Sequence, residues 1–251
     1  MSDSIFDKLT INPAYRVVAD AIEQNIVEGR LKVGDRLPAE TEIAKQFGVH
    51  RSTVREGLRL LEESGLVSRV GRMTLEVRLP HFRELATRAS RALSMHQVTF
   101  QELWDASMIT EPAIAERAAE HISDDELDAL KQNIAAMEAC GQETEQFVKL
   151  DIEFHDIIAR ASRNKVFRLM REPISLLFLP AGQTILPTIK TYERVIEAHR
   201  KICQALSARD KVVAQEWMTR HMADFRRGYL RTGANPDKPL STPSEGLVAP
   251  R

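Results

Sequence analysis

The run from Leu37 to Leu58 constrains this chain more than any other stretch. Ile43, Ala44 and Phe47 give a short helix an apolar face. Gly48 then ends that helix, as a residue that takes positive φ without steric cost. A second helix restarts near His50 and runs to about Ser64, with Val54, Leu58 and Leu61 turned inward. Arg51, Arg55 and Arg59 stand outward at four-residue spacing. A helix whose first turns offer arginines fits the DNA major groove, where a guanidinium can pair bidentately with guanine O6 and N7. An ordinary helical hairpin with solvated arginines has the same local pattern, so the flanks decide between them.

Upstream, Val18, Ile22 and Ile26 repeat at helical spacing between Pro13 and Gly29, a starter and a stop. Downstream, Leu66–Arg69 and Thr74–Val77 read as two short strands around Val70-Gly71-Arg72-Met73. Three helices followed by a hairpin form a winged helix-turn-helix. The formal net charge of the whole chain is −1, so a nucleic-acid surface has to be concentrated locally. Between Lys45 and Arg78 seven basic residues face four acidic ones, an excess of three in the segment that would meet DNA.

These residues resemble the GntR family of bacterial transcription regulators. The resemblance rests on Glu28-Gly29, Leu31, Gly34-Asp35, Leu37-Pro38 and Glu40, followed by Val54-Arg55-Glu56 and Leu60-Leu61-Glu62 with Gly65-Leu66-Val67. It implies a DNA-binding unit over residues 1–79, with Arg36, Arg51 and Arg55 as DNA-contacting arginines. Ser52 and Thr53 belong to the same helix start, and Gly71 lies at the wing tip. Glu40 is either a helix-start carboxylate favoured by the dipole or an acceptor for an arginine. The sequence departs from the family at His50, where a Ser or Thr N-cap is usual, and at Met73, where a wing glycine is common.

Pro80-His81-Phe82 ends the pattern. Residues 80–98 read as a linker and connecting helix, with Leu85, Ala89 and Leu93 inward. Beyond Thr99 everything is helical in pattern: 100–121, 123–140, 143–162, 164–178, 188–208 and 210–230. Ser123 with Glu126 forms a capping box, Asp210 caps the last helix, and the region between Leu176 and Thr188, with Pro180 and Pro187, reads as a kinked helix or a broken connection. Residues 232–251 carry four prolines and few apolar side chains, which predicts disorder. The fold class expected is mainly α, a winged helix-turn-helix followed by an all-α bundle over residues 99–231. Cys140 and Cys203 sit far apart in helical segments and suggest reduced packing residues. With no basic start followed by an apolar run and no stretch of transmembrane length, the expected compartment is the cytoplasm, without a membrane partner.

Four residues of the second domain point to a metal. Asp151 and His155 share one helix face beside Leu150, Phe154 and Ile158. His199 interrupts the row Val195, Ile202, Leu206, and His221 interrupts Ala214, Trp217, Met218, Phe225. A lone inward histidine is ordinarily a hydrogen-bonded core residue. Three of them with an inward carboxylate, on three helices able to converge, make a site for a divalent ion: Zn²⁺ first, Ni²⁺ or Mn²⁺ as alternatives. The spacing also resembles the FadR-type C-terminal ligand-binding domain, called FCD. That resemblance is carried by Asp151, Phe154-His155, Asn164, Glu197-Ala198-His199 and His221, with Met108 to Pro112 and Ala118-Ala119 at the domain's opening helix. It implies that Asp151, His155, His199 and His221 hold a metal that helps bind a small organic carboxylate, with Asn164 and the residue at 107 near it. Ser107 stands where an arginine is common, so a less acidic effector, or another cationic residue, is expected. The reading that follows is a homodimeric regulator on a palindromic double-stranded DNA operator, responsive to a small organic acid. The rivals are a metal-dependent hydrolase, for which no spare inward carboxylate or nucleophile pair is evident, and an architectural DNA binder with a structural metal.

Overall fold

The computed structural model describes residues 12–71, 74–80, 82–189 and 192–240. The chain divides into two units, Met1–His81 and Phe82–Arg251. In the first, α1 (Ala14–Val27), α2 (Glu40–Phe47) and α3 (Arg51–Ser64) precede a hairpin of β1 (Val67–Val70) and β2 (Thr74–Val77). The hairpin is antiparallel, with Val67 opposite Val77 and Val70 opposite Thr74. Arg36 pairs with Glu76 as an isolated bridge, and Leu37 N–H donates to the Leu75 carbonyl at 2.8 Å, so the turn before α2 is stitched to the wing. Val18, Ile22, Ile43, Val54, Leu58 and Val67 are buried together.

Two glycines set the angle between the helices. Gly48 ends α2 in the left-handed conformation at φ 65°. Gly57 lies where α3 crosses α1: a Cβ there would stand 2.8 Å from the Tyr15 carbonyl oxygen, so the close approach excludes a side chain. The recognition helix starts at Arg51 with His50 as N-cap, whose side chain makes no capping bond. Phe47, expected inward, is the terminal residue of α2 and stays 40% exposed; the buried face of that helix is Ile43 and Ala44. Met73 and Arg72 lie outside the described residues.

The second unit is helical: α4 (Phe82–Met95), α5 (Phe100–His121), α6 (Asp124–Cys140), α7 (Thr144–Ala161), α8 (Lys165–Ile189), α9 (Tyr192–Ser207) and α10 (Lys211–Arg231). Capping boxes open α5 (Thr99 with Glu102) and α6 (Ser123 with Glu126), and Asp210 accepts from Val213 N–H at the start of α10. α5 packs against α7, α8, α9 and α10, and its row Ile114, Ala115, Ala118 and Ala119 is fully buried.

Three expectations need correction. Of the two alternatives between Leu176 and Thr188, the broken connection does not occur: α8 continues through Pro173, Pro180 and Pro187 to Ile189. An interior proline costs about 3 kcal/mol in an isolated helix, but α4, α5, α7 and α10 all pack on α8, and tertiary packing overrides that propensity. The Thr184 hydroxyl also donates to the Pro180 carbonyl at 3.0 Å. In α4 the buried residues are Ala86 and Ser90 rather than Leu85, Ala89 and Leu93; small side chains form the buried stripe of this helix, which packs on α8. Finally, the tail does not become disordered at Thr232. Gln101 N–H donates to the Pro236 carbonyl and Leu240 N–H to the Val98 carbonyl, while Ala234 and Leu240 pack on Phe100 and Tyr229. The stacked aromatic pair Phe100–Tyr229, with ring centroids 3.7 Å apart, supplies apolar surface that few residues in the tail suffice to cover. Residues 241–251, included in that expectation, lie outside the described residues.

Candidate functional site

On the first unit, the start of α3 and the start of α2 meet through charge. Arg51 donates from Nε to Glu40 Oε2 at 2.7 Å, and Arg55 donates from Nη2 to the same oxygen at 3.2 Å. The two readings of Glu40 therefore merge: it begins α2 and it accepts from both arginines. Hydrogen bonds from Arg55 and Arg51 hold its carboxyl below the usual range. Arg51, Ser52 and Arg55 are exposed and Thr53 is half-buried, so the first turn of α3 presents its polar side chains to solvent. Arg59, farther along, is paired with Glu56 and Glu63. Arg36 is exposed beside the wing, and Gly71 turns the hairpin at φ 72°.

On the second unit, α7, α9 and α10 bring Asp151, His155, His199 and His221 together, with one donor atom from each within 4.8 Å of all the others. His155 Nε2 and His221 Nε2 face each other at 3.1 Å, and His199 Nε2 stands 3.3 Å from Asp151 Oδ1. Two donors bound to one ion at about 2.0–2.1 Å are separated by roughly 3.0–3.5 Å, so these spacings fit shared coordination. His199 is fully buried: its Nε2 has the Asp151 carboxylate at 3.3 Å, and its Nδ1 has no hydrogen-bond partner among the described residues. A buried imidazole left in that state is costly unless a further partner arrives. Phe154 stacks on its ring at 3.7 Å and holds the plane. Burial, reinforced by His199 and His155, pushes the His221 pKa down to about 3, and burial lowers that of His199 despite Asp151. Both rings are therefore neutral, the state a metal ligand requires. Burial opposes ionisation of Asp151, but His199 outweighs it and keeps the carboxyl below its ordinary range.

Sequence reasoning missed a second layer. Glu111 on α5 and Arg171 on α8 are 6% and 4% exposed. Glu111 Oε2 lies 3.1 Å from His155 Nδ1, and Glu111 Oε1 lies 2.9 Å from Arg171 Nε. With the proton on Nδ1 donated to Glu111, His155 presents the Nε2 lone pair to the cluster. Burial disfavours the charged His155 ring, yet Glu111 outweighs it and raises the pKa above the ordinary value. Arg171 is also paired with Asp156 and donates to the Ile152 carbonyl at 3.2 Å. Glu111 is thus an inward carboxylate, but not a spare one, since Arg171 and His155 both engage it. The signal was present: Leu103, Ser107, Glu111, Ile114 and Ala118 form one helical stripe with a carboxylate at its centre.

Asp151, His155 and His221 also line a cavity of about 100 Å³. Ser107, buried at 3% exposure, lines it too. Asn164 does not: its Oδ1 accepts from Val166 and Phe167 N–H at 3.0 and 3.2 Å, which makes it the cap of α8. Of the cationic groups in this wall, Arg171 on α8 contacts Glu111, the partner of His155, while position 107 on α5 carries the serine.

Comparison with known proteins accounts for both units. Residues 14–77 match the bacterial regulatory proteins of the gntR family, and residues 102–224 match the FCD domain. The chain is 27% identical over 216 residues to the HTH-type transcriptional regulator LutR of Bacillus subtilis, covering 82% of this chain and 97% of that one. It is 27% identical over 237 residues to the HTH-type transcriptional repressor NanR of Cronobacter sakazakii, covering 88% and 89%. A solved structure of Streptococcus agalactiae GntR superposes with a TM-score of 0.61 at 27% identity, covering 85% of this chain and 99% of that one. These families are transcription regulators, which sets the hydrolase reading aside. No helix among the described residues is long and apolar enough to cross a membrane. The chain belongs to the GntR family of bacterial transcription regulators, with a DNA-binding helix-turn-helix unit followed by an FCD effector domain.

Proposed function

We propose that this chain is a cytoplasmic, homodimeric repressor that binds a palindromic operator and releases it in response to a small organic acid bound beside a divalent metal. The single observation that carries the reading is the gathering of three buried imidazoles and a carboxylate, with one donor atom from each within 4.8 Å of all the others. Asp151, His155, His199 and His221 would hold the ion, and zinc suits the nitrogen-rich set best. When bound, it supplies a Lewis-acidic position for a carboxylate oxygen of the effector. Glu111 orients His155, Arg171 adds positive charge beside the acid, and Ser107 lines the same wall.

Arg51 and Arg55, with Ser52 and Thr53, would enter the major groove, while Arg36 and the wing at Gly71 approach the neighbouring backbone or minor groove. Glu40 pre-positions both arginines and leaves them exposed. One recognition helix reads only a few base pairs, so a two-fold dimer on a palindrome doubles the site. Val166, Leu169 and Met170 leave apolar side chains on one side of α8, which favours contact with a second copy.

Elemental analysis of the protein purified without chelator or a metal-affinity column tests the metal. The native chain is expected to carry close to one ion, and His221→Ala to lose it together with several degrees of melting temperature. A native protein that carries no ion and takes up none on addition would overturn the site and leave a bundle with buried histidines.

A further inference from the structure

The wall of the effector cavity has a direction. Arg171, Ile174, Phe178, Gly182 and Ile185 all line it, and their spacing of three, four, four and three residues places them on one face of α8. At 1.5 Å per residue this face extends about 21 Å. It begins at the buried guanidinium that contacts Glu111 beside the metal cluster, and from there it is hydrocarbon and glycine apart from Ser175. Val148, Leu186 and Phe225 add apolar surface from α7, α8 and α10.

The polar inventory is as telling. Among the described residues the cavity is lined by no Asn, Gln, Thr or Tyr. Its hydroxyl groups are Ser107 and Ser175, and the Ser175 hydroxyl already donates to the Glu172 carbonyl at 2.9 Å. Its remaining charges away from the cluster are Arg194, Arg227 and Arg231 with Asp224, whose carboxylate is engaged by Arg194 and Arg227. A polyhydroxylated acid lying along α8 would bring several hydroxyls against hydrocarbon, with donors only on the α9 and α10 side at Arg194, Arg227 and Arg231, and each buried polar group without a partner costs affinity.

Resting on the effector reading above, we infer that the ligand class is a monocarboxylic acid with an apolar body, a short alkyl chain or an aromatic ring. Its carboxylate lies at the Arg171 and metal end, and its body along Ile174, Phe178 and Ile185. Gly182 keeps the channel open opposite Val148, because a Cβ at that position would already stand 3.4 Å from both Val148 methyl groups.

The test is calorimetric titration of the metal-loaded full chain with hexanoate, octanoate and phenylacetate against lactate, malate, gluconate and glucuronate. The apolar acids should bind at least about tenfold more tightly, the scale on which an apolar pocket discriminates against an added hydroxyl. Ile174→Asn, at a half-buried position, should weaken octanoate about tenfold while leaving metal content and melting temperature near the native values. Gly182→Leu should weaken octanoate more than the smaller acids. Tighter binding of gluconate, glucuronate or malate than of the apolar acids overturns this inference and leaves the acid-responsive reading standing. Binding of none of these acids by protein that carries its metal overturns both.

Discussion

The two units use the same chemistry, arginine against carboxylate, in opposite settings. In the DNA-binding unit, Arg51 and Arg55 share Glu40 at the surface, with the arginine side chains more than half exposed. In the effector unit, Arg171 meets Glu111 with both side chains under a tenth exposed. Water screens the first cluster, so its ion pairs contribute little stability and, in the function proposed, would be free to exchange for DNA phosphates or bases. The second cluster is sealed, and removal of one partner strands a charge in a medium that cannot solvate it. Exposure thus decides whether a charged pair is a reversible contact or part of the framework.

The largest expected effect tests the sealed side. Arg171→Ala should destabilise the effector unit by about 3–5 kcal/mol, because Glu111 loses its cationic partner while still buried. Urea unfolding followed by circular dichroism measures it; a loss below about 1 kcal/mol would place Arg171 with the surface pairs. Metal content should fall in the same variant, since Glu111 orients His155.

The next concerns the exchange of partners at the surface. Arg51→Ala should weaken operator binding about 10–100-fold at fixed salt if its guanidinium reads a base, with the unfolding midpoint almost unchanged. Fluorescence anisotropy on a duplex selected by the protein from a random library gives the affinity. Unaltered binding would remove this helix face from the DNA interface.

Truncation after Arg231 is expected to be milder. It removes Leu240 and Ala234 from the Phe100–Tyr229 stack and two backbone hydrogen bonds, worth about 1–2 kcal/mol together. The melting temperature should drop by a few degrees; no change would mean that the segment contributes nothing in solution. Smallest of all, Glu40→Ala should cost less than about 1 kcal/mol of stability in the same urea assay. A loss comparable to that of Arg171→Ala would erase the contrast between the two clusters.

The contrast also explains what could be read from the sequence. The surface cluster was legible because its parts are close in the chain: Glu40, Arg51 and Arg55 fall within sixteen residues of a motif whose turns are marked by Gly48 and Gly65. The Asp/His cluster was legible because His199 and His221 interrupt apolar rows and Asp151 and His155 lie beside one. Glu111 and Arg171 were harder, since their meeting depends on how α5 and α8 pack, sixty residues apart. Asn164 was ambiguous because a capping side chain and a ligand-binding one look alike without a wall to face. The prolines of α8 left a kink and a break both open because local propensity allows either, whereas four packed neighbours hold the helix together. The tail misled because its composition is that of a solvated segment, and the aromatic surface that orders it lies on other helices.

The central claim is that the metal cluster and the cavity beside it govern DNA binding. Its most direct test is operator affinity, read by anisotropy at fixed salt, as octanoate is added to the metal-loaded native chain and to His221→Ala. The acid is expected to lower operator affinity of the native chain at least tenfold. His221→Ala is expected still to bind the duplex but no longer to respond. An identical response in both proteins, or none in native protein shown to carry its metal and bind the acid, would contradict the central claim.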